Sequence, residues 1–347
     1  MTAPLYAVVL AGGVGSRFWP LSTPTRPKQL LPLISDAPML ADSVARLVPL
    51  VGAERVLVLT SESLGPAVLA AVPGVTADQL LLEPRPAGTA AALAWAAHAV
   101  IARGGPDAQM VCVHSDWAIA DDAKFRETLA HAASLAAARG ALATVGIVPS
   151  RPDPGFGYIQ PGDAVGGGAR AVARFVEKPD RVRAAEMVAQ GFLWNSGIFA
   201  WRAQDLLDEI DAKTPELAAA MSTLKAGPAA FFGAVKDTVS IDVGVLERSQ
   251  RVIVLAGDFG WDDVGTWSAL ARVRARDAAG NATHGRVIAR ESSDNVVHAE
   301  GSAVVLDGVS GLVVVVRDGV TLVTTVARAA DLKKVVETLP SDLKDLP

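Results

Sequence analysis

Tyr6-Ala7-Val8-Val9-Leu10-Ala11-Gly12-Gly13-Val14-Gly15-Ser16-Arg17-Phe18-Trp19-Pro20-Leu21 is the stretch on which the reading of this chain turns, with Thr25-Arg26-Pro27-Lys28-Gln29 just beyond it. Residues 6–10 form a short apolar run suited to a buried first strand, and they feed directly into three glycines within four residues. Glycine reaches positive φ and lets a ligand lie against the backbone. Successive backbone N–H groups in such a turn make an anion-binding concavity. Arg17 and Lys28 add two cations to the same segment. Together these features point to a polyphosphate site at Leu10, Ala11, Gly12, Gly13, Gly15, Ser16, Arg17 and Lys28; for the glycines alone, a plain turn is the competing reading. The loop lacks the closing Gly-Lys-Ser/Thr of a P-loop and the glycine spacing of the dinucleotide fingerprint.

Outward from this stretch, residues 55–60, 110–114 and 141–147 are further short apolar runs, and residues 39–48, 64–71, 89–102 and 123–138 are helical candidates between them. The alternation predicts an α/β fold: a Rossmann-like, mixed but mostly parallel sheet with helices on both faces. Ligands bind such sheets beyond the carboxyl ends of the strands, which sets the opening loop, Thr60-Ser61-Glu62 and His114-Ser115-Asp116 on one rim. Prolines and glycines between 149 and 179 mark turns, with 158–160 and 171–177 as an antiparallel hairpin covering that rim. Residues 181–190 and 204–210 read as helices, and 192–201 as an apolar segment broken by Asn195-Ser196-Gly197. A strand pattern resumes at Ser240-Ile241-Asp242-Val243 and at 252–255, and 266–276 is the expected last helix of a large domain. From about 281, β-branched runs at 286–289, 295–298, 303–306, 311–316 and 321–325 recur at the spacing of a small all-β module, and 329–339 closes the chain as a helix. The expected domains are therefore 1–276 and 281–347.

A length of 347 residues suits two domains, and half the chain is apolar. A net charge of −5 argues against a broad nucleic-acid surface. Cys112 is the single cysteine and sits between valines, so it reads as core, and no intrachain disulfide can form. With no basic leader region and no transmembrane span, the expected setting is cytoplasmic, with no membrane partner.

Asp116, at the end of an apolar strand, suits a Mg²⁺ ligand, because that ion takes one or two carboxylates plus phosphates; a helix N-cap is the alternative. In Gly260-Trp261-Asp262-Asp263-Val264-Gly265-Thr266-Trp267, one acid is expected to cap the following helix and the other to face the site. Glu177-Lys178-Pro179 can bind a phosphate and sugar hydroxyls, or be a surface ion pair. Asn195-Ser196-Gly197 suits hydroxyl recognition or a β-bulge. His98 and His131 read as structural or exposed. No zinc spacing and no Gly-x-Ser-x-Gly elbow occurs.

Five segments, in this order and spacing, resemble the nucleotide-sugar pyrophosphorylases, and most closely the mannose-1-phosphate guanylyltransferases. They are 10–22, Pro27-Lys28-Gln29, Phe175-Val176-Glu177-Lys178-Pro179, Trp194-Asn195-Ser196-Gly197-Ile198-Phe199 and 261–267. The resemblance implies a nucleotide-diphospho-sugar transferase fold with a β-helix-like C-terminal domain. It implies Mg²⁺-dependent in-line transfer from GTP to α-D-mannose 1-phosphate, giving GDP-mannose and pyrophosphate. Arg17 and Lys28 would lie on the triphosphate, and Asp116 and Asp263 would hold the metal. Lys178 would bind the sugar phosphate, with Glu177, Asn195 and Gly157 around the sugar. Two departures stand out. In the guanine-side loop Glu83-Pro84-Arg85-Pro86-Ala87-Gly88-Thr89, Ala87 and Gly88 replace the family's arginine and asparagine, leaving Arg85, Gly88 and Thr89 as the candidate readers. Trp117 stands where a histidine often follows the metal-strand acid. The chain stops ahead of the isomerase fused to longer relatives, so one activity is expected. A homodimer through the β-rich tail and a tail packed on the large domain are equally open. The other functional readings are a hexose-1-phosphate nucleotidyltransferase using dTTP or UTP with glucose 1-phosphate, and a non-catalytic nucleotide-sugar sensor.

Overall fold

The computed structural model describes residues 3–13 and 18–344. It contains two compact units: residues 1–12, 44–114 and 119–261 in the first, and 13–43, 115–118 and 262–347 in the second.

A nine-stranded mixed sheet forms the first unit. Its strands are β1 (Leu5–Leu10), β2 (Val56–Ser61), β3 (Leu80–Glu83), β4 (Gln109–His114), β5 (Leu142–Ile147), β6 (Tyr158–Gly166), β7 (Ala169–Val176), β8 (Leu193–Arg202) and β9 (Val252–Gly257). They lie in the order β3-β2-β1-β4-β8-β5-β9-β7-β6. β1 to β4 are mutually parallel, as are β5 and β9. β1, β4 and β5 are buried almost throughout, which is why they read as unbroken apolar runs rather than alternating ones. The helices include α1 (Met39–Val51), α2 (Gly65–Ala71), α3 (Thr89–Gly104), α4 (Asp122–Arg139), α5 (Arg181–Ala189) and α6 (Ala203–Lys213). Tyr6, Val8, Leu10, Met110 and Cys112 share one apolar cluster with α3 and α6, while α4 packs on β4, β5 and β8. The alanines of α3 favour helix and are mostly buried, so α3 lies close to the sheet.

Three departures from the sequence reading have local causes. β8 is a central strand, antiparallel to both β4 and β5. Asn195-Ser196-Gly197 hides it, because its register against β5 shifts between Thr144 and Gly146 and Gly197 takes φ 75°. β3 escapes the sequence reading because a four-residue edge strand leaves little pattern. The strand expected at Ser240-Ile241-Asp242-Val243 is absent; Asp242–Leu246 is a π-helical turn instead. There Ser240 Oγ accepts from Val243 N at 3.2 Å, the local side-chain bond by which serine opposes extended pairing.

In the second unit, Trp267–Val273 forms the expected helix, which ends early because Arg274 is extended. The tail coils through β10 (Ala282–His284), β11 (Val287–Arg290), β12 (Val296–Ala299), β13 (Val304–Asp307), β14 (Leu312–Arg317) and β15 (Val320–Thr325). β10, β12 and β14 stack in parallel, β11 and β13 form a second parallel pair, and β15 closes antiparallel on β14. Successive turns of one coil thus bury Val296, Val313 and Val315 with Phe18, Leu21, Leu33 and Trp267. At the corner, the buried Asn295 donates from Nδ2 to Asn281 Oδ1 at 2.9 Å and to Val309 O at 3.1 Å.

His298 is fully buried in this coil. Arg274 Nη2 lies 3.0 Å from its Nδ1. A guanidinium only donates, so Nδ1 accepts and the ring proton sits on Nε2, 3.2 Å from Glu300 Oε1. Burial pushes the imidazole down to about 4, with the charges of Arg274 and His284 helping and Glu300 opposing. Between pH about 6.5 and 4 the unfolded chain therefore binds a proton that the fold refuses, and stability falls as pH falls. His284 and His98 shift in the same direction. The urea midpoint is expected to decline across that window, and less steeply in His298→Asn; equal slopes in the two proteins would contradict it.

Candidate active site

Four predicted residues meet in the first unit. β7 ends at Val176, and Glu177 and Lys178 follow as an ion pair. Lys178 takes φ 44° just before Pro179, an unusual conformation for a side-chain-bearing residue and one found at functional sites. Gly157 precedes β6, and its carbonyl accepts from Asn195 N at 2.8 Å. A β-carbon on Gly157 would stand 2.6 Å from Glu177 Oε2 and 3.4 Å from Asn195 Cβ. A side chain at 157 would therefore displace the Glu177 carboxylate from its present place.

Asp242 completes the cluster and is the member that the sequence reading misses. Asn195 Nδ2 donates to its Oδ1 at 2.8 Å. Burial, followed by the charge of Glu177, pushes this carboxyl up to about 6, against the bond from Asn195 and the charge of Lys178. The one available signal is an acid inside an apolar stretch, masked by the strand-like spacing of Ile241 and Val243. Two acids, an ammonium and an amide converge here, a set suited to hydroxyls and one anionic group.

The second unit gathers Lys28, Asp116 and Asp263. Pro27 leads into the short turn Lys28–Leu30, and Lys28 is 5% exposed. Its Nζ donates to Asp116 Oδ2 at 2.9 Å, to Asp116 O at 2.9 Å and to Asp263 O at 3.0 Å, so three donors meet three oxygens. The helix-cap alternative for Asp116 is ruled out: Asp121 caps α4, accepting from Lys124 N at 2.9 Å. The two neighbouring acids also separate. Asp262 accepts from Arg272 Nε at 2.8 Å and Nη2 at 3.0 Å, and from Val264 N at 3.0 Å, so its carboxylate is committed to the helix Trp267–Val273. Val264 is fully buried at φ 47°, a strained setting for a β-branched residue. Among the described residues no group of three or more His, Cys, Asp or Glu is placed to hold a metal.

At the opening loop, Leu10 and Ala11 are buried, and Ala11 is tied to β2 by its N–H to Leu59 O at 2.8 Å and by Thr60 Oγ1 to its carbonyl at 3.0 Å. Gly12 and Gly13 are exposed, with open space where a β-carbon would go. Gly15, Ser16 and Arg17 lie outside the described residues. The guanine-side candidates have internal partners. Arg85 Nη2 donates to Val235 O. Gly88 sits at φ 84°, and a β-carbon there would stand 2.5 Å from Val239 O. Thr89 Oγ1 accepts from Ile241 N at 2.9 Å. This loop therefore braces the segment that carries Asp242. Cys112 is core, and burial pushes its thiol up.

A family model described as nucleotidyl transferase matches residues 6–280. The mannose-1-phosphate guanylyltransferase ManC of Salmonella typhimurium (strain LT2) is 38% identical over 357 residues, covering 97% of this chain and 74% of that protein. The mannose-1-phosphate guanylyltransferase of Escherichia coli (strain K12) is 37% identical, with 97% and 74% covered. A solved structure described as mannose-1-phosphate geranyltransferase from Thermus thermophilus superposes with a TM-score of 0.88 at 34% identity, covering 96% of this chain and 98% of that one. Similarity of this extent, over both the sheet and the coil, places the chain in the nucleotidyl transferase family, and within it among the mannose-1-phosphate guanylyltransferases.

Proposed function

We propose that this chain converts GTP and α-D-mannose 1-phosphate to GDP-mannose and pyrophosphate. Support comes chiefly from the Lys28 ammonium seated on the oxygens of Asp116 and Asp263. A phosphate oxygen of the sugar phosphate bonds to the α-phosphorus of GTP, the bond from that phosphorus to the bridging oxygen breaks, and pyrophosphate leaves with the electron pair. The nucleophile is already an anion, so no general base is needed. Positioning and charge neutralisation do most of the work in such transfers.

Residues 10–17 with Arg17 and Lys28 would hold the triphosphate. Arg85, Gly88 and Thr89 would lie on the base side. Lys178 would bind the sugar phosphate, and Glu177, Asn195 and Asp242 the sugar hydroxyls. Asp116 and Asp263 fit Mg²⁺ in their chemistry: both are hard oxygen donors, the Lys28 ammonium already sits on the Asp116 carboxylate and on the main-chain carbonyl of Asp263, and phosphates can supply the remaining ligands. When bound, that ion would neutralise phosphate charge. A homodimer, a cytoplasmic setting and a boundary between 276 and 281 belong to the same proposal; among the described residues no helix is long and apolar enough to cross a membrane.

Purified protein given a panel of nucleoside triphosphates and hexose 1-phosphates with Mg²⁺ should release pyrophosphate fastest from GTP with mannose 1-phosphate. A preference for dTTP or UTP with glucose 1-phosphate would overturn the substrate assignment, and no turnover with any pair the enzyme assignment. Lys178→Ala should raise the KM for mannose 1-phosphate about ten- to a hundredfold, the loss of one charge-assisted bond. An equal rise for GTP would displace Lys178 from the sugar phosphate.

A further inference from the structure

The segment that delivers Lys28 is fastened from the C-terminal part of the second unit. Trp267 Nε1 donates to Trp19 O at 3.4 Å. Arg317 Nη1 donates to Pro20 O at 3.2 Å and Leu21 O at 3.0 Å. Arg274 Nε donates to Leu33 O at 2.7 Å. Between Leu21 and Leu33, Arg26 is gripped by both carboxylate oxygens of Glu300, at 3.0 and 3.2 Å. Glu300 is itself held: its N–H donates to Val316 O at 2.9 Å, and its Oε1 accepts from His298 Nε2. Arg317 Nε lies 3.9 Å from its Oε2.

We propose that Glu300 is a positioning residue for the nucleotidyl transfer: by clamping Arg26 it fixes the turn that holds the Lys28 ammonium on Asp116 and Asp263. The linkage is short and stiff. Thr23 N donates to Arg26 O at 3.0 Å, and Arg26 N to Thr23 O at 3.1 Å and Thr23 Oγ1 at 3.1 Å. Pro27, at φ −69°, is the only residue between Arg26 and Lys28. A solitary exposed ion pair contributes little, but this one is bidentate and networked to a buried imidazole. It joins the hydrogen-bonded coil to a turn whose ammonium must be placed closely, because misplacement of about 1 Å costs on the order of a hundredfold in rate.

The proposal rests on Lys28 acting in the reaction, and one kinetic cycle separates the two claims. Wild type, Arg26→Ala, Lys28→Met and the double variant are compared by steady-state kinetics and thermal melting, with Arg26→Lys and Glu300→Gln alongside. Arg26→Ala is expected to lower kcat about ten- to a hundredfold with both KM values within about twofold. It should cost nothing further in the Lys28→Met background, since groups acting as one unit are non-additive. Arg26→Lys should recover only part of the loss, because lysine cannot make the bidentate bond. Full, additive losses from the two substitutions would overturn the clamp, as would wild-type kcat in either Arg26→Ala or Glu300→Gln. Wild-type turnover in Lys28→Met would instead remove the role of Lys28.

Discussion

Lys28→Met should lower kcat by about a hundred- to a thousandfold while the protein stays folded. That is the loss seen when one preorganised electrostatic donor is removed from a transition state. Methionine keeps most of the buried stem, so the packing against Phe18, whose ring centre lies 5.6 Å from Nζ, is largely preserved. Asp116 is partly open to solvent and can be rehydrated. The backbone carbonyls of Asp116 and Asp263 lose the bonds from the Lys28 ammonium, so a lower melting temperature is expected as well. Pyrophosphate release under saturating substrates, with a melting curve for each protein, separates these effects. A variant that melts lower yet turns over normally would make Lys28 a strut.

Gly157→Ala is expected to act on one substrate only. The new methyl would lie 2.6 Å from Glu177 Oε2 and 3.1 Å from Phe175 Cζ. Real β-carbons do not approach so closely, so Glu177 must swing away, and its partner Lys178 loses its place. The kcat/KM for mannose 1-phosphate should fall about a hundredfold, as for a misplaced binding group, while the KM for GTP stays within about twofold. Varying each substrate with the other saturating reads this directly. Equal losses for both would mean that the glycine serves the fold and not the sugar.

The contrast between what is and is not legible in the sequence follows the physics of each segment. β1, β4 and β5 are readable because strands buried on both faces leave unbroken apolar runs. The coil is readable because its strands recur between turns. Asp116, Glu177, Lys178 and Asn195 are legible as polar residues interrupting or ending such runs, and Lys28 as a cation beside the glycine-rich loop. Asp242 is not, because a π-helical turn imitates alternation over three residues. The choice between Asp262 and Asp263 needs Arg272, ten residues downstream. No pattern in the chain announces that Arg26 is held by a carboxylate 274 positions away.

The position of β8 also governs how this protein must be made. β4 completes its pairing on β8, which closes at Arg202, whereas β5 pairs with β8 on one edge and with β9 on the other. A nascent chain long enough to hold the first five strands still carries the open edge of β4 and an unpaired apolar β5, the feature that invites pairing with another chain. Non-local closure of this kind is slow and leaves aggregation-prone surface exposed meanwhile. That exposure ends for β4 once β8 has been made, but for the second edge of β5 only when Val252–Gly257 follows some fifty residues later.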